Sequence, residues 1–187
     1  AFSLGMMTRP GIERITRYAF DLAVQRGEKK VTVVSKANAV PHPYGYWDKV
    51  TREVAAASYP GIEYASVNVD AICYLMARNP AGWGVVLCPN LFGDIVSDLM
   101  SGLAGGLGLA AAGNIGDALS MFEPVHGSAP TLAGTGRANP LAALPPAALM
   151  LRPLGQPEAA AAAAKAVRGH LSSSRPAPAE PCRPACT

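Results

Sequence analysis

The sequence has few charged residues and no long apolar run. Charged side chains make up 16% of its 187 residues, well below the share of about 25% in an average soluble domain. Gly, Pro or a charge interrupts every apolar stretch before it reaches the roughly 18 residues of a membrane span. The first nine residues also lack the basic start and apolar stretch of a signal peptide. We therefore expect no membrane segment and no export, and predict a cytoplasmic protein.

A strong positive charge is also missing, and cysteine is scarce. The formal net charge is only +3, and the Lys and Arg residues are scattered, which argues against nucleic acid as a partner. The four Cys residues do not have the spacing of a zinc site. Cys73 and Cys88 lie in apolar runs and are predicted to be buried thiols, whereas Cys182 and Cys186 lie in a Pro-rich tail.

What the sequence does contain is an alternation of helical and strand patterns. Apolar residues at helical spacing, bounded by Gly and Pro, predict helices over 8–27, 46–58, 69–78 and 91–103. Short β-branched runs predict strands over 31–35, 62–67 and 85–88, and the segment 36–44 is predicted to be a loop. Strands that alternate with helices of this length indicate an α/β architecture.

The pattern weakens in the second half of the chain. Residues 102–116 are mostly Gly and Ala, which permits close backbone packing but gives little pattern, while 121–125 are predicted to form a short strand before a Gly- and Pro-rich loop. Pro145 and Pro146 are predicted to interrupt a helix over 141–151. Ser, Pro and Ala dominate 172–187, which predicts disorder.

Asp94 and Asp98 form the sharpest local motif. They are four residues apart on a predicted helix, so both carboxylates project from one face about one turn apart. Oxygen ligands at this spacing suit Mg²⁺ or Mn²⁺. The spacing alone leaves two interpretations open, a metal site or a solvated helix face.

Asp70 and Lys36 each follow a predicted strand. Asp70 opens a helix, and the residues alone favour a helix N-cap over a third metal carboxylate. Lys36 comes directly after the apolar strand, where it is either a proton-transfer residue near a metal or an ordinary lysine that reaches solvent.

The ordered set of motifs resembles the β-decarboxylating dehydrogenases, which include isopropylmalate, isocitrate, homoisocitrate and tartrate dehydrogenases. The resemblance runs from about Pro10 to Gly155, and its most specific blocks are 90–98 and 123–130. The motifs that carry it are Lys36-Ala37-Asn38, Tyr59-Pro60, Val69-Asp70, Asn90 to Asp98, Glu123 to Pro130, and Gly136-Arg137-Ala138-Asn139-Pro140.

The resemblance implies a fold and a reaction. The fold is the α/β fold of isopropylmalate and isocitrate dehydrogenases in partial form, with 1–104 as most of the small dimerising domain and 105–155 as part of the large cofactor domain. Residues 156–187 are expected to be a disordered Ala- and Pro-rich tail. The reaction is oxidation of a malate-type 2-hydroxy acid by NAD⁺ or NADP⁺, followed by loss of the 3-carboxylate as CO₂.

The resemblance also implies roles for individual residues in a homodimer with shared active sites. Asp94 and Asp98 match metal ligands for Mg²⁺ or Mn²⁺ from one copy, and Asp70 matches the ligand and catalytic residue from the other. Lys36 matches the lysine that helps to deprotonate the substrate hydroxyl across the dimer. Positions expected at the cofactor and substrate are Asn38, Asn90, Glu123, His126, Gly127, Ser128, Ala129 and Asn139.

The sequence departs from the family in several respects. Family chains are nearly twice as long, and the substrate-clamping arginines and the proton-donating tyrosine have no counterpart here. We therefore expect little or no activity from this chain alone, and a truncated, non-catalytic paralogue that keeps only the dimerising scaffold is the alternative. Thr131 replaces an Asp common in NAD-using members, which leaves NAD and NADP both open. Ser35 replaces an Asp, and the segment 46–48 is most similar to the tartrate and isopropylmalate branches.

Overall fold

A computed structural model describes residues 1, 4–136 and 140–173 of the chain. The chain divides into two units between Met100 and Ser101. The elements of the first unit are α1 (Arg9–Arg26), β1 (Lys30–Ser35), α2 (Pro41–Ser58), β2 (Glu63–Asn68), α3 (Val69–Arg78), β3 (Val85–Leu87) and α4 (Asn90–Leu103), the last of which runs past the boundary. This alternation confirms the predicted α/β class.

The first unit is built on a three-stranded parallel sheet in the order β2-β1-β3. Ser35 pairs with Asn68 at the end of β1 and β2, and Val33 pairs with Leu87 in β3. The carboxyl ends of all three strands therefore meet at one edge of the sheet, which is where open α/β sheets place their ligands.

Helices cover both faces of this sheet, because the side chains of β1 alternate between two buried cores. Val31 and Val33 pack with the apolar faces of α1 and α2, which include the fully buried Phe20. Val34 points to the opposite face, where it packs with Ile72 of α3 and with α4. Burial on both faces agrees with the β-branched run Val31-Thr32-Val33-Val34 in the sequence.

The predicted limits of α1 are nearly confirmed. Thr8 is the N-cap, and its hydroxyl accepts a hydrogen bond from the Gly11 N–H. Gly27 ends the helix with φ of 70°, a left-handed conformation that glycine adopts without strain. Pro10 lies in the first turn, where its missing N–H removes no intrahelical bond.

The predicted start of α2 is wrong. The sequence predicted a loop over 36–44, but the helix begins at Pro41. Two prolines in the first turn suggested a loop, yet both fall where backbone N–H groups have no helical partner in any case. The loop after β1 is therefore only five residues long, which brings α2 close to the strand end.

The second unit contains an antiparallel hairpin of β4 and β5 beside two helices. Its elements are β4 (Ala111–Ile115), β5 (Ser120–Pro124), α5 (Leu144–Leu151), α6 (Pro157–Ser173) and three 3₁₀ turns at Leu107–Leu109, Pro130–Leu132 and Pro140–Ala143. Helix α5 packs on the hairpin and on α6.

Two expectations for the second unit are wrong. Pro145 and Pro146 do not interrupt a helix; they lie in the first turn of α5, after a 3₁₀ turn. The tail predicted to be disordered over 156–187 is helical over Pro157–Ser173. Its Ala run has the highest helix propensity, and α6 gains further stability by packing on α5. Residues 174–187, including Cys182 and Cys186, lie outside the described part.

Cys73 and Cys88 are only partly buried, not fully buried as predicted. Both pack against the core between β1, α3 and α4. Desolvation, with a smaller contribution from the nearby Cys73, raises the pKa of the Cys88 thiol to about 12. Cys88 is therefore protonated at neutral pH and behaves as a small apolar side chain. Among the described helices, none is long and apolar enough to cross a bilayer.

Candidate metal and proton-transfer site

Lys36 and Asp70 meet at the carboxyl edge of the parallel sheet. Lys36 follows β1, and Asp70 lies in the first turn of α3, directly after β2. Because Ser35 pairs with Asn68 in the sheet, the residues that follow the two strands lie side by side. The Lys36 Nζ donates a hydrogen bond to Asp70 Oδ1 and forms an ion pair with it.

The Asp70 carboxylate also accepts hydrogen bonds from its own N–H and from that of Ala71 at the helix N-terminus. The residue that precedes the helix is Asn68, so the N-cap interpretation of Asp70 is wrong. The hydrogen bond from Lys36, together with these N–H groups, holds the pKa of Asp70 below its usual value. Asp70 is thus a carboxylate at neutral pH, with its side chain 67% exposed.

A pH dependence follows from this lowered pKa. The ion pair stabilises the fold above the ordinary carboxyl pKa, and its contribution is lost as the pH falls through the lowered value. We expect the stability difference between wild type and Asp70→Asn to be small, given the exposure, and to shrink towards zero in acid. Urea unfolding from pH 7 to pH 2.5 measures this difference. A difference that stays constant over that range would contradict the prediction.

Asp94 and Asp98 are exposed on one face of α4. In the described ranges neither carboxylate is engaged in an ion pair. Two uncompensated carboxylates one turn apart fit a hard divalent cation, which would supply the missing positive charge. Asp94, Asn90 and Trp47 also line an open cleft of ≈ 440 Å³. The cleft lies at the carboxyl end of β3, the third strand of the sheet.

The three candidate carboxylates do not form one cluster within a single chain. Over residues 1, 4–136 and 140–173, no group of three His, Cys, Asp or Glu side chains is arranged to hold a metal ion. The sequence prediction assigned Asp70 to one copy and Asp94 and Asp98 to another, so a single chain does not test it.

The predicted cofactor residues fall into both units. Asn38 and Asn90 are both exposed and lie in the first unit. Asn38 is two residues after Lys36, and Asn90 lines the cleft. The others described lie in the second unit, on β5 and the loop after it: Glu123, His126, Gly127, Ser128 and Ala129. Asn139 lies outside the described residues.

The loop after β5 contains a strained residue. Ala129 has φ of 43°, and no other non-glycine residue in the described segments has a positive φ. A left-handed conformation costs alanine about 1 kcal/mol or more, and such residues concentrate at functional sites. The His126 Nδ1 lies 2.9 Å from the Gly127 carbonyl oxygen. The strain makes this loop a candidate binding loop, and the cofactor roles of its residues stay predictions.

Sequence reasoning did not assign a role to Trp47 and Asp48 of α2. Trp47 lines the cleft, and its indole N–H donates to the Val34 carbonyl one step before the end of β1. Asp48 lies close enough to the strand to accept a hydrogen bond from the Ser35 hydroxyl. No spacing rule finds such contacts, because they depend on how α2 lies across the strand.

Comparison with known proteins gives a consistent result. A family model described as isocitrate/isopropylmalate dehydrogenase matches residues 1–178. The chain is 44% identical over 176 residues to 3-isopropylmalate dehydrogenase of Archaeoglobus fulgidus, covering 94% of this chain and 54% of that protein.

Solved structures agree with the sequence comparison. Isocitrate dehydrogenase from Methylococcus capsulatus superposes with a TM-score of 0.88 at 46% identity, covering 93% of this chain and 51% of that one. A β-decarboxylating dehydrogenase from Thermococcus kodakarensis gives a TM-score of 0.81 at 40% identity, covering 92% and 50%. The chain spans about half the length of the relatives that it matches.

Proposed function

Because the chain belongs to the isocitrate/isopropylmalate dehydrogenase family, we propose that it supplies the metal and proton-transfer residues for oxidative decarboxylation of a malate-type 2-hydroxy acid by NAD⁺ or NADP⁺. The substrate is of the 3-isopropylmalate or tartrate kind. The observation that carries the proposal is the Lys36–Asp70 pair at the carboxyl edge of the sheet. Function in the cytoplasm stays a prediction of the sequence.

Asp94 and Asp98 would hold Mg²⁺ or Mn²⁺, with Asp70 of a second copy as the third carboxylate. The bound ion supplies Lewis acidity that stabilises the negative charge developing on the substrate during decarboxylation. The three carboxylates fix the ion's position, and with it the orientation of the substrate oxygens. Their exposure in one chain leaves them accessible to a second copy and to substrate.

Lys36 would carry the proton of the substrate hydroxyl. Its side chain is only 24% exposed, and its amine is held against Asp70. An ammonium group cannot take a proton, so Lys36 would first release one to solvent. Its neutral amine, held in this position, would then accept the hydroxyl proton as the substrate is oxidised. Asp70 would balance the positive charge that the amine regains when it takes this proton.

The partner in this proposal is a second copy of the chain. Leu91 and Ile95 of α4 are 63% and 50% exposed, and they lie beside Asp94 and Asp98 on the same helix. Tyr74 and Leu75 expose further apolar surface on α3. Apolar contact along these helices would bring the carboxylates of one copy towards the Asp70 of the other.

The proposed cofactor site is the loop from Glu123 to Ala129. Its exposed Gly127 and Ser128 allow a ligand to approach the backbone closely. Ala129 has a strained backbone conformation of the kind that occurs at ligand-binding sites. Asn38 and Asn90 would contact nicotinamide and substrate. Both NAD and NADP stay open, because Thr131 offers neither a carboxylate for ribose hydroxyls nor a positive charge for a 2′-phosphate.

A turnover assay separates an active chain from a non-catalytic scaffold. NADH or NADPH formation at 340 nm is measured with isopropylmalate, isocitrate and tartrate in the presence of Mn²⁺. We expect little or no turnover from these 187 residues alone, since catalysis requires the complete preorganised charge cluster. Turnover of any of these three substrates would contradict this expectation, provided that the Lys36→Met variant loses it. Such turnover would also eliminate the scaffold alternative.

Mixing two variants that have each lost Mn²⁺ binding tests whether the metal site is shared between copies. Asp70→Asn and Asp94→Asn are each expected to lose Mn²⁺ binding. In a mixed dimer, however, one site combines the intact Asp70 of one copy with the intact Asp94 of the other. Random pairing after joint refolding should therefore restore Mn²⁺ binding to about one site in four. Binding that stays absent from the mixture, while wild type binds, would exclude a shared site.

A further inference from the structure

The backbone that carries Lys36 is fixed on both sides by hydrogen bonds. Before it, the Val34 carbonyl accepts a buried hydrogen bond of 3.1 Å from the Trp47 indole. After it, the Ala37 N–H donates to the Ser35 hydroxyl oxygen at 3.2 Å. These contacts leave the chain little freedom to rotate where it leaves β1.

The carbonyl of Lys36 is fixed as well. It accepts hydrogen bonds from Ala39 N–H at 3.1 Å and from Val40 N–H at 2.9 Å, which close the short turn before α2. The turn is therefore compact, and its direction depends on how it is attached to α2. That attachment is made by Trp47 and Asp48, which lie less than two turns into the helix.

Ser35 links Asp48 to this turn. Ser35 is 2% exposed. Its hydroxyl oxygen accepts from the Ala37 N–H, and the hydroxyl lies close enough to the Asp48 carboxylate to lower its pKa. Since side chains alternate along β1, Ser35 points to the α2 face and Lys36 to the α3 face. The strand end is thus held from one side while the lysine is presented on the other.

Keeping the Asp48 carboxylate in this partly buried position costs folding free energy. Burial raises the pKa of its carboxyl group, and the hydrogen bond from Ser35 and the charge of Arg52 only partly oppose this effect. Its Oδ1 atom is buried and has no hydrogen-bond partner among the described residues. A buried oxygen without a partner destabilises a fold and calls for an explanation. Fixing Ser35 provides one.

We propose that Ser35, Trp47 and Asp48 are positioning residues that hold the turn after β1 so that the Lys36 amine meets Asp70. The proposal rests on the function proposed above for Lys36. It adds that α2 sets the orientation of the lysine. Helix α2 lies on the opposite face of the sheet from α3, which carries the ion-pair partner Asp70. None of the three residues needs to touch substrate, cofactor or metal.

Competitive acetylation of the lysines tests this proposal without metal, cofactor or substrate. The folded chain is treated with limiting acetic anhydride, and mass spectrometry gives the acetylation rate of Lys36 relative to the exposed Lys165 on α6. Ser35→Ala should raise this ratio about fivefold, the effect of losing one typical hydrogen bond. Ser35→Thr, which keeps the hydroxyl, should restore the wild-type ratio. Asp70→Asn, which frees the amine directly, sets the upper limit.

Thr16→Val is the matched control for a general loss of stability. Thr16 is a fully buried hydroxyl residue on α1, and its hydroxyl donates to the Ile12 carbonyl at 2.7 Å, so this hydrogen bond involves neither α2 nor the turn. This variant should lower the thermal midpoint and leave the acetylation ratio unchanged. If Ser35→Ala does not fold, Asp48→Ala replaces it, with the same expected increase.

Two results would overturn the proposal. One is an unchanged Lys36 ratio in a folded Ser35→Ala or Asp48→Ala variant. The other is an equal increase in Thr16→Val, which would show that any loss of stability frees the lysine. A chain that passes this test but binds no Mn²⁺ would instead contradict the proposed function, so the two failures are distinguishable.

Discussion

Asp94→Asn is expected to weaken Mn²⁺ binding by about 100-fold or more. Loss of a residue that merely supports a metal ligand typically costs about 10- to 100-fold in affinity, so loss of a ligand should cost at least as much. The substitution keeps the size and hydrogen-bonding capacity of the side chain and removes its negative charge. Isothermal titration of the full chain with MnCl₂ measures the effect, and Asp98→Asn should behave in the same way.

Asp117→Asn controls for non-specific attraction of the cation. Asp117 is an exposed carboxylate in the turn between β4 and β5, so its substitution changes the net charge by the same amount. It should leave Mn²⁺ affinity unchanged, because a single exposed charge contributes little at physiological salt. If wild type and Asp94→Asn bind Mn²⁺ with equal affinity, α4 carries no metal site, and Asp94 and Asp98 belong to a solvated helix face.

Phe20→Ala is expected to destabilise the first unit by about 3–5 kcal/mol. Phe20 is fully buried between α1 and the sheet, and its ring centroid lies 5.1 Å from that of Tyr59. Removing the ring leaves a cavity that the surrounding strand and helix residues cannot fill without moving the backbone. The unit that carries Lys36, Asp70 and Asp94 would then be close to unfolding, since whole domains have stabilities of only about 5–15 kcal/mol.

Urea unfolding followed by tryptophan fluorescence measures this loss. Trp47 and Trp83 are the chain's two tryptophans, and both lie in the first unit, so the signal reports on that unit. Tyr18→Ala is the matched control, because it removes an aromatic ring of similar size from the exposed side of the same helix. It should cost about 1 kcal/mol or less. Similar losses in the two variants would mean that α1 does not pack as described.

Local sequence signals were sufficient for much of the first unit. Thr8 and Gly27 define the ends of α1 because a hydroxyl N-cap and a left-handed glycine act within one turn of the helix. The β-branched run of β1 predicted a strand for the same local reason. Proline was misinterpreted twice, at α2 and α5, because its effect depends on whether it falls in the first turn or further inside.

The candidate site also combines a feature that local sequence predicts with one that depends on distant residues. The spacing of Asp94 and Asp98 on a helix is a local property, and the sequence predicted it. The pairing of Lys36 with Asp70 joins residues 34 positions apart, and from residue types alone a helix cap was the better interpretation of Asp70. Only the motifs shared with a known family favoured the site before the structure was considered.

Residue patterns alone were enough to predict the order of strands and helices in the first unit, the resemblance to the family, and the residue types available for binding a cation and moving a proton. Tertiary structure decided which of these residues meet. Parallel pairing of β1 with β2 brings Lys36 beside Asp70, and the way α2 crosses the strand brings Asp48 to Ser35. Turns and caps are settled by neighbours along the chain, whereas strand register and helix packing are settled by burial of the whole apolar surface.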